Sequence, residues 1–245
     1  MIAPGKTTVF ALLRSSRGHF MFEIGRTVLA PAVSLLLLSL PVQALDIKQS
    51  KNETTNTITL ELTGKFDPGD GLRLRAEVAK LPPEATIVVH LNAGGGPFVE
   101  GMSVGRLIHQ LGIKTVIPPK AKCVSPCPLA FFGGSDPKGS AALVKHTTAS
   151  FGFTPFLANA PDRDYTAKDL DAEVEKTQQS ILKVFDYLAE VGADFDILRR
   201  IYDDIPDGQA RYVSDEDLLS LGVSIFDDKT NQLIDASAIR KRAQH

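Results

Sequence analysis

Residues 88–134 read VVHLNAGGGPFVEGMSVGRLIHQLGIKTVIPPKAKCVSPCPLAFFGG, and after a short insert residues 149–154 read ASFGFT. Val88, Val89 and Leu91 form a short apolar β run that ends at Asn92 and the turn Gly94-Gly95-Gly96. Val99, Met102, Leu107, Ile108 and Leu111 then recur at helical spacing. Residues 114–117 form the next strand run, which leads into Cys123-Val124-Ser125-Pro126-Cys127. Strand, helix and strand of these lengths predict βαβ units and a mainly parallel sheet, hence an α/β fold.

The flanks extend the pattern. Residues 57–62, TITLEL, alternate strictly and predict a strand with one buried face. Leu74, Val78 and Leu81 make a helical stripe that Pro82-Pro83 stops. Residues 136–142 read as a surface insert, residues 149–153 as another strand, and the Pro- and Asp-rich residues 155–164 as a loop. Thr166 is placed to cap a long helix through residue 191, with Leu170, Val174, Ile181, Val184, Phe185 and Leu188 on its inner side. A further helix is expected over residues 195–202. Ser214-Asp215-Glu216-Asp217 caps a short one that Gly222 ends, and residues 223–226 make a final strand.

The composition, 43% hydrophobic and 23% charged over 245 residues, predicts one globular domain. In residues 1–44, Lys6, Arg14, Arg17 and Arg26 against Glu23 give +3; with a total of −2, the rest carries −5. An acidic body without a Lys/Arg run argues against a nucleic-acid partner. Residues 28–40, VLAPAVSLLLLSL, follow Arg26 and precede Pro41-Val42-Gln43-Ala44. Thirteen mostly apolar residues are too few for a bilayer span and suit the core of a signal peptide with a small-x-small cleavage site. Residues 1–44 are therefore expected to be a signal peptide, with Met21 as an alternative start. Residues 45–245 are then an exported domain, periplasmic in a bacterium, with no stable membrane span after cleavage. Cys123 and Cys127 are either two buried thiols or a disulfide. With no second ligand pair, no P-loop and no G-x-G-x-x-G, neither a metal nor a cofactor is expected.

In combination, the glycine turn, the Cys-x-Ser-x-Cys turn and the strand ending at Thr154 resemble the Clp-protease-like branch of the ClpP/crotonase superfamily, in particular its exported bacterial members. The resemblance spans about residues 57–226 and implies a ClpP/crotonase-like superhelix of βαβ units. It implies that Gly95, with Gly96 next to it, sits in the oxyanion turn, with Glu100 and Gly101 at the usual places downstream. Ser125 falls at the nucleophile position; its alternative role is to cap the following helix, with Pro126 at the first helical position. Thr154 falls at the position of the histidine base. Pro206 falls at that of the aspartate, beside Asp207. Rings and trimers are common among such proteins, so a homo-oligomer is a further implication.

Two departures from that pattern bear on chemistry. The residue after the nucleophile donates a backbone N–H to the oxyanion, and Pro126 has none. Loss of one such donor costs about 2.7–4 kcal/mol of transition-state stabilisation. A threonine hydroxyl at residue 154 cannot take the serine proton near neutral pH. Substitute bases are poorly placed. His146 lies eight residues before Thr154, about 26 Å along an extended strand. His90 is on the strand feeding the glycine turn, and His109 is on a helix and expected to be exposed. Lys120, Lys122 or Lys145 could form a Ser–Lys pair, though no local pattern places them.

The expected function is therefore a catalytically degenerate, Clp-protease-like protein that binds a peptide or a protein partner in the old substrate groove. The alternative is an active serine hydrolase in which Ser125 uses an unusual base. A crotonase-like acyl-thioester enzyme fits less well, because export separates the chain from coenzyme A.

Overall fold

The computed structural model describes residues 45–154, 164–197 and 210–234. Ten strands and five helices lie in these residues. The signal-peptide reading of residues 1–44, the assignments at Pro206 and Asp207, and residues 198–202 of the expected helix lie outside them.

The larger sheet is built from β1 (Asp46–Asn52), β2 (Thr57–Gly64), β3 (Thr86–Ala93), β4 (Lys114–Ile117), β6 (Leu143–His146), β9 (Ser224–Asp227) and β10 (Gln232–Ile234), side by side in that order. The five strands from β2 to β9 run parallel, and β1 and β10 close the edges antiparallel. Helix α1 (Asp70–Val78) connects β2 to β3, and α2 (Phe98–Gln110) connects β3 to β4. These are the βαβ units expected. Two elements differ from expectation: β1 has no alternating apolar pattern and escaped notice, and β9 is followed by β10 rather than ending the sheet.

Strict alternation on β2 and β3 decides which face is buried. Ile58, Leu60 and Leu62, with Val89, Leu91 and Ala93, pack against Leu74 of α1 and against Met102, Val104, Leu107 and Ile108 of α2. The opposite face carries Glu61, His90 and Asn92, exposed or half-buried. Leu45 is buried, and its carbonyl accepts from Arg73, which also pairs with the fully buried Asp70.

A second sheet joins β5 (Lys122–Val124), β7 (Ser150–Phe153) and β8 (Arg211–Tyr212) in the order β5-β7-β8. β5 and β7 are parallel, and β8 is antiparallel to β7. The chain passes from β4 into β5 and from β6 into β7 over four and three residues, so the second sheet continues two strands of the first. Helix α3 (Cys127–Phe132) follows β5 directly. Phe131, Phe132, Phe151 and Phe153 pack edge to face beneath this junction, with ring centroids 5.4–5.8 Å apart.

Helix α4 (Ala167–Glu190) is capped by Thr166 through a reciprocal box with Asp169, as its sequence predicts. Its packing departs from prediction. Val184, Tyr187 and Leu188 are buried, but Leu170 and Val174 are 54% and 56% exposed and Phe185 is also exposed. Among the described residues, the buried side chains of α4 are confined to its last two turns, where Tyr187 donates to the Leu129 carbonyl of α3 and lies under Arg106. Helix α5 (Asp215–Ser220) is capped by Ser214, which accepts from the Asp217 N–H. Among the described residues, no helix is long and apolar enough to cross a membrane.

Candidate functional site

The site lies where the carboxyl ends of β3, β5 and β7 meet. This is the end of a parallel sheet at which ligands are generally bound. β3 leaves the sheet at Ala93, and the chain must reverse into α2 within four residues. Gly95 and Gly96 permit the reversal at φ of +74° and +109°. A Cβ on Gly96 would lie 2.1 Å from the Phe66 carbonyl oxygen, so the turn also requires glycine for space.

Three backbone hydrogen bonds lock this turn. The Gly94 N–H donates to Gly64 at 2.9 Å, the Phe66 N–H donates to Gly95 at 3.0 Å, and the Gly95 N–H donates to the Ser125 carbonyl at 2.7 Å. The structure thus brings together the two sequence elements singled out, Gly95 and Ser125, but through the main chain. In this conformation the Gly95 amide is engaged with the carbonyl of the very residue whose hydroxyl it would assist. The Gly96 amide makes no backbone hydrogen bond among the described residues.

Ser125 follows β5 and is 6% exposed. Its N–H continues the ladder to the Gly152 carbonyl at 3.3 Å. It is not the helix cap: Pro126 occupies the N-cap position of α3, with no side-chain cap bond. The hydroxyl falls one residue too early to reach the first free amides of α3. No side chain among the described residues hydrogen-bonds the Ser125 Oγ. Cys123 and Cys127 form a disulfide with a Cα separation of 5.1 Å. It bridges the end of β5 to the first residue of α3 and closes the loop that holds Ser125. The open choice between thiols and a disulfide resolves in this way because the bend at Pro126 shortens the path between the two Cα atoms.

Thr154 follows β7, half-buried. The register pairs Val124 with Gly152, so Ser125 lies beside Phe153 and Thr154 lies one step beyond. Lys122, Lys145 and His146 make no hydrogen bond to Ser125 among the described residues. Lys122 shares a β5 face with Val124, opposite the face of Cys123 and Ser125. Lys145 is buried and donates to Asp215 at 2.7 Å and to the His146 carbonyl at 2.9 Å. His146 Nδ1 lies 2.6 Å from Asp228, and its ring packs on Phe226. The hydrogen bond from His146, then that from Thr148, hold the Asp228 carboxyl well below the usual carboxylate range. His90 projects from the open face of the main sheet. Burial pushes its pKa below the ordinary value, Glu61 opposes this, and His146 and Lys114 add to it. His109 is half-buried rather than exposed, and its Nδ1 has no partner among the described residues.

Asn92 has a role that its sequence position did not reveal. Its Oδ1 accepts from the Lys122 N–H at 3.0 Å and so ties the end of β3 to the start of β5. A cleft of about 290 Å³ opens there, lined by Gly64, Asn92, Ala93, Gly94, Lys122 and Val124. A second hollow of about 210 Å³, with Phe98, Val99, Met102 and Lys183 in its wall, lies on the other side of the glycine turn. The Ser125 side chain lines neither. A larger cavity, about 490 Å³, lies at the amino end of β3 and β4, between Val78, Ile87, Leu111 and Pro137. It holds no group of the site just described.

No protein-family model matches this chain, and no curated protein does. Among solved structures, the chain is similar to a point mutant of ClpP1 from Listeria monocytogenes. The two are 12% identical over 71% of this chain and 93% of that one, with a TM-score of 0.49. The α/β assignment rests on the strand order and register above.

Proposed function

We propose that this protein is an exported, catalytically silent member of the Clp-protease-like group whose groove binds a peptide or a protein partner. The observation that carries this reading is the 2.7 Å bond from the Gly95 N–H to the Ser125 carbonyl. Together with the missing N–H of Pro126, it leaves the Ser125 hydroxyl without the paired backbone donors that an acyl transfer needs. Thr154 supplies no base. The two defects act on different steps, proton removal and stabilisation of the charge that follows. A fluorophosphonate probe tests the reading. Wild-type protein should label no more than Ser125→Ala, while Thr154→His with Pro126→Ala should label measurably. Specific labelling of wild-type Ser125 overturns it in favour of an active hydrolase with an unusual base.

Export rests on the apolar residues 28–40 before Val42-Gln43-Ala44, and the disulfide suits an oxidising compartment. Mass spectrometry of the secreted protein should find Leu45, or a residue within a few positions, at the amino terminus. An intact chain from Met1 in the cytoplasm overturns the assignment.

Copies of the chain associate through α4 in this reading. Leu170, Val174, Ile181 and Phe185 are spaced four, seven and four residues apart, so their stripe reads the same in both directions along the helix. Such a stripe can meet its own copy antiparallel, as a two-fold interface requires.

A further inference from the structure

The carboxyl ends of β3 and β5 lie side by side without sharing a regular ladder. β4 pairs with β3 only as far as His90 and ends at Ile117, and β5 enters at Lys122. Three contacts then join β3 to β5 in order: Asn92 to Lys122, Gly94 to Val124, and Gly95 to Ser125.

This seam is uneven along its length. At Gly94 the two backbones are so close that a Cβ would lie 3.1 Å from the Val124 carbonyl oxygen. At Asn92 and Lys122 no backbone bridge forms among the described residues, and the Asn92 Oδ1 accepts from the Lys122 N–H at 3.0 Å instead. The Asn92 side chain thus supplies the rung that the departing β4 leaves open. What that place requires is an acceptor on a short side chain, which asparagine carries.

The rung is also the accessible part of the seam. Asn92 and Lys122 are both exposed, and the cleft of about 290 Å³ opens beside them. Water can reach the Lys122 N–H, so loss of the bond strands no buried donor and its effect on global stability is small. Its effect is local, because a seam held by few, solvent-accessible hydrogen bonds opens well below the free energy of global unfolding. The last contact along the seam is the 2.7 Å bond from the Gly95 N–H to the Ser125 carbonyl.

We propose that Asn92 is the positioning residue of the silent site: its side-chain oxygen holds β5 against β3 and so keeps the Gly95 N–H on the Ser125 carbonyl. This rests on the reading that the engaged Gly95 amide contributes to the silence of Ser125. When the Asn92–Lys122 bond opens, the seam loosens from that end and the Gly95 N–H becomes available to a ligand oxygen.

Hydrogen exchange of single amides, followed by NMR, tests the assignment. In wild-type protein the Lys122 and Gly95 amides should share one protection factor, because one opening releases both, and should exchange faster than Leu62 and Leu91 in the main sheet. Asn92→Leu keeps the bulk and removes the acceptor; it should speed exchange at Lys122 and Gly95 about fivefold or more and leave Leu62 and Leu91 unchanged. Asn92→Asp keeps an acceptor and should restore the wild-type rates. An unchanged Gly95 rate in Asn92→Leu overturns the proposal, as does independent exchange of the two amides in the wild type. Equal acceleration at all four amides makes Asn92 a residue of general stability, and an Asn92→Asp that behaves like Asn92→Leu removes the acceptor role. The link to the site is read by fluorophosphonate labelling of Thr154→His with Pro126→Ala, with and without Asn92→Leu. Labelling should quicken by a similar factor when the Gly95 N–H is released. Faster exchange with unchanged labelling severs Asn92 from the silence of the site. No labelling in either background counts against the repaired-site reading above and leaves exchange to judge Asn92.

Discussion

The β5–α3 junction and the amino half of α4 both carry apolar side chains, yet they are opposites in packing. At the junction, Cys123, Cys127, Phe131 and Phe151 are buried, and a disulfide closes the loop around Ser125. Helices approach so closely that a Cβ on Gly133 would lie 2.1 Å from the Gly105 carbonyl oxygen. Along α4, Leu170, Val174 and Leu182 stand more than half exposed. The first region buries its side chains within the fold, while the second presents an apolar surface that the described residues do not cover. The difference teaches that an apolar stripe specifies burial without specifying the partner. The partner is inside the domain in one case and, in our reading, another copy in the other.

The largest effect is expected at the junction. Phe151→Ala removes the ring that touches Phe131, Phe132 and Phe153, and should cost about 3–5 kcal/mol in denaturant unfolding. A cost under about 1 kcal/mol would mean that the junction is not the tightly packed region of the pair.

Next is the disulfide. Cys123→Ala with Cys127→Ala opens a short loop, and chain-entropy scaling gives about 2 kcal/mol. Thiol titration of unfolded, unreduced protein should find neither cysteine free; two free thiols would remove the bridge from the comparison.

A smaller, pH-dependent effect belongs to His90. Its folded pKa is depressed, so the unfolded chain binds the proton more readily. Stability is then full above the unfolded value near 6.5 and declines as pH falls through it. His90→Gln should flatten that part of the profile. An unchanged slope between about pH 7 and pH 5 would show that burial of this histidine has no energetic consequence. Asp228, also depressed, acts in a lower window: its contribution is present above the ordinary aspartate value and is lost on further acidification.

The smallest stability effect is expected on α4. Leu170→Glu with Val174→Glu should leave monomer stability within about 0.5 kcal/mol per substitution. Sedimentation should nevertheless show a lower mass than wild type. A large loss of stability would instead mean that this face is covered within the chain.

The alternation of Ile58, Leu60 and Leu62, the spacing along α2, and Thr166 as a cap were legible in sequence because local periodicity and capping chemistry need no distant partner. Gly95, Ser125 and Thr154 were grouped in the sequence through the resemblance of their three turns to one family pattern, not through periodicity, and in the structure they follow neighbouring strands. What the tertiary structure alone decided depends on residues far apart in the chain. The Gly95 amide meets the Ser125 carbonyl, and Asn92 pins Lys122, each across thirty positions. Lys145 finds Asp215, and the Arg211 Nη1 has no acceptor among the described residues. The solvent-facing Leu170 and Val174 belong here too: a helical stripe records which side is apolar, and only the end of α4 that docks determines how much of that side is buried.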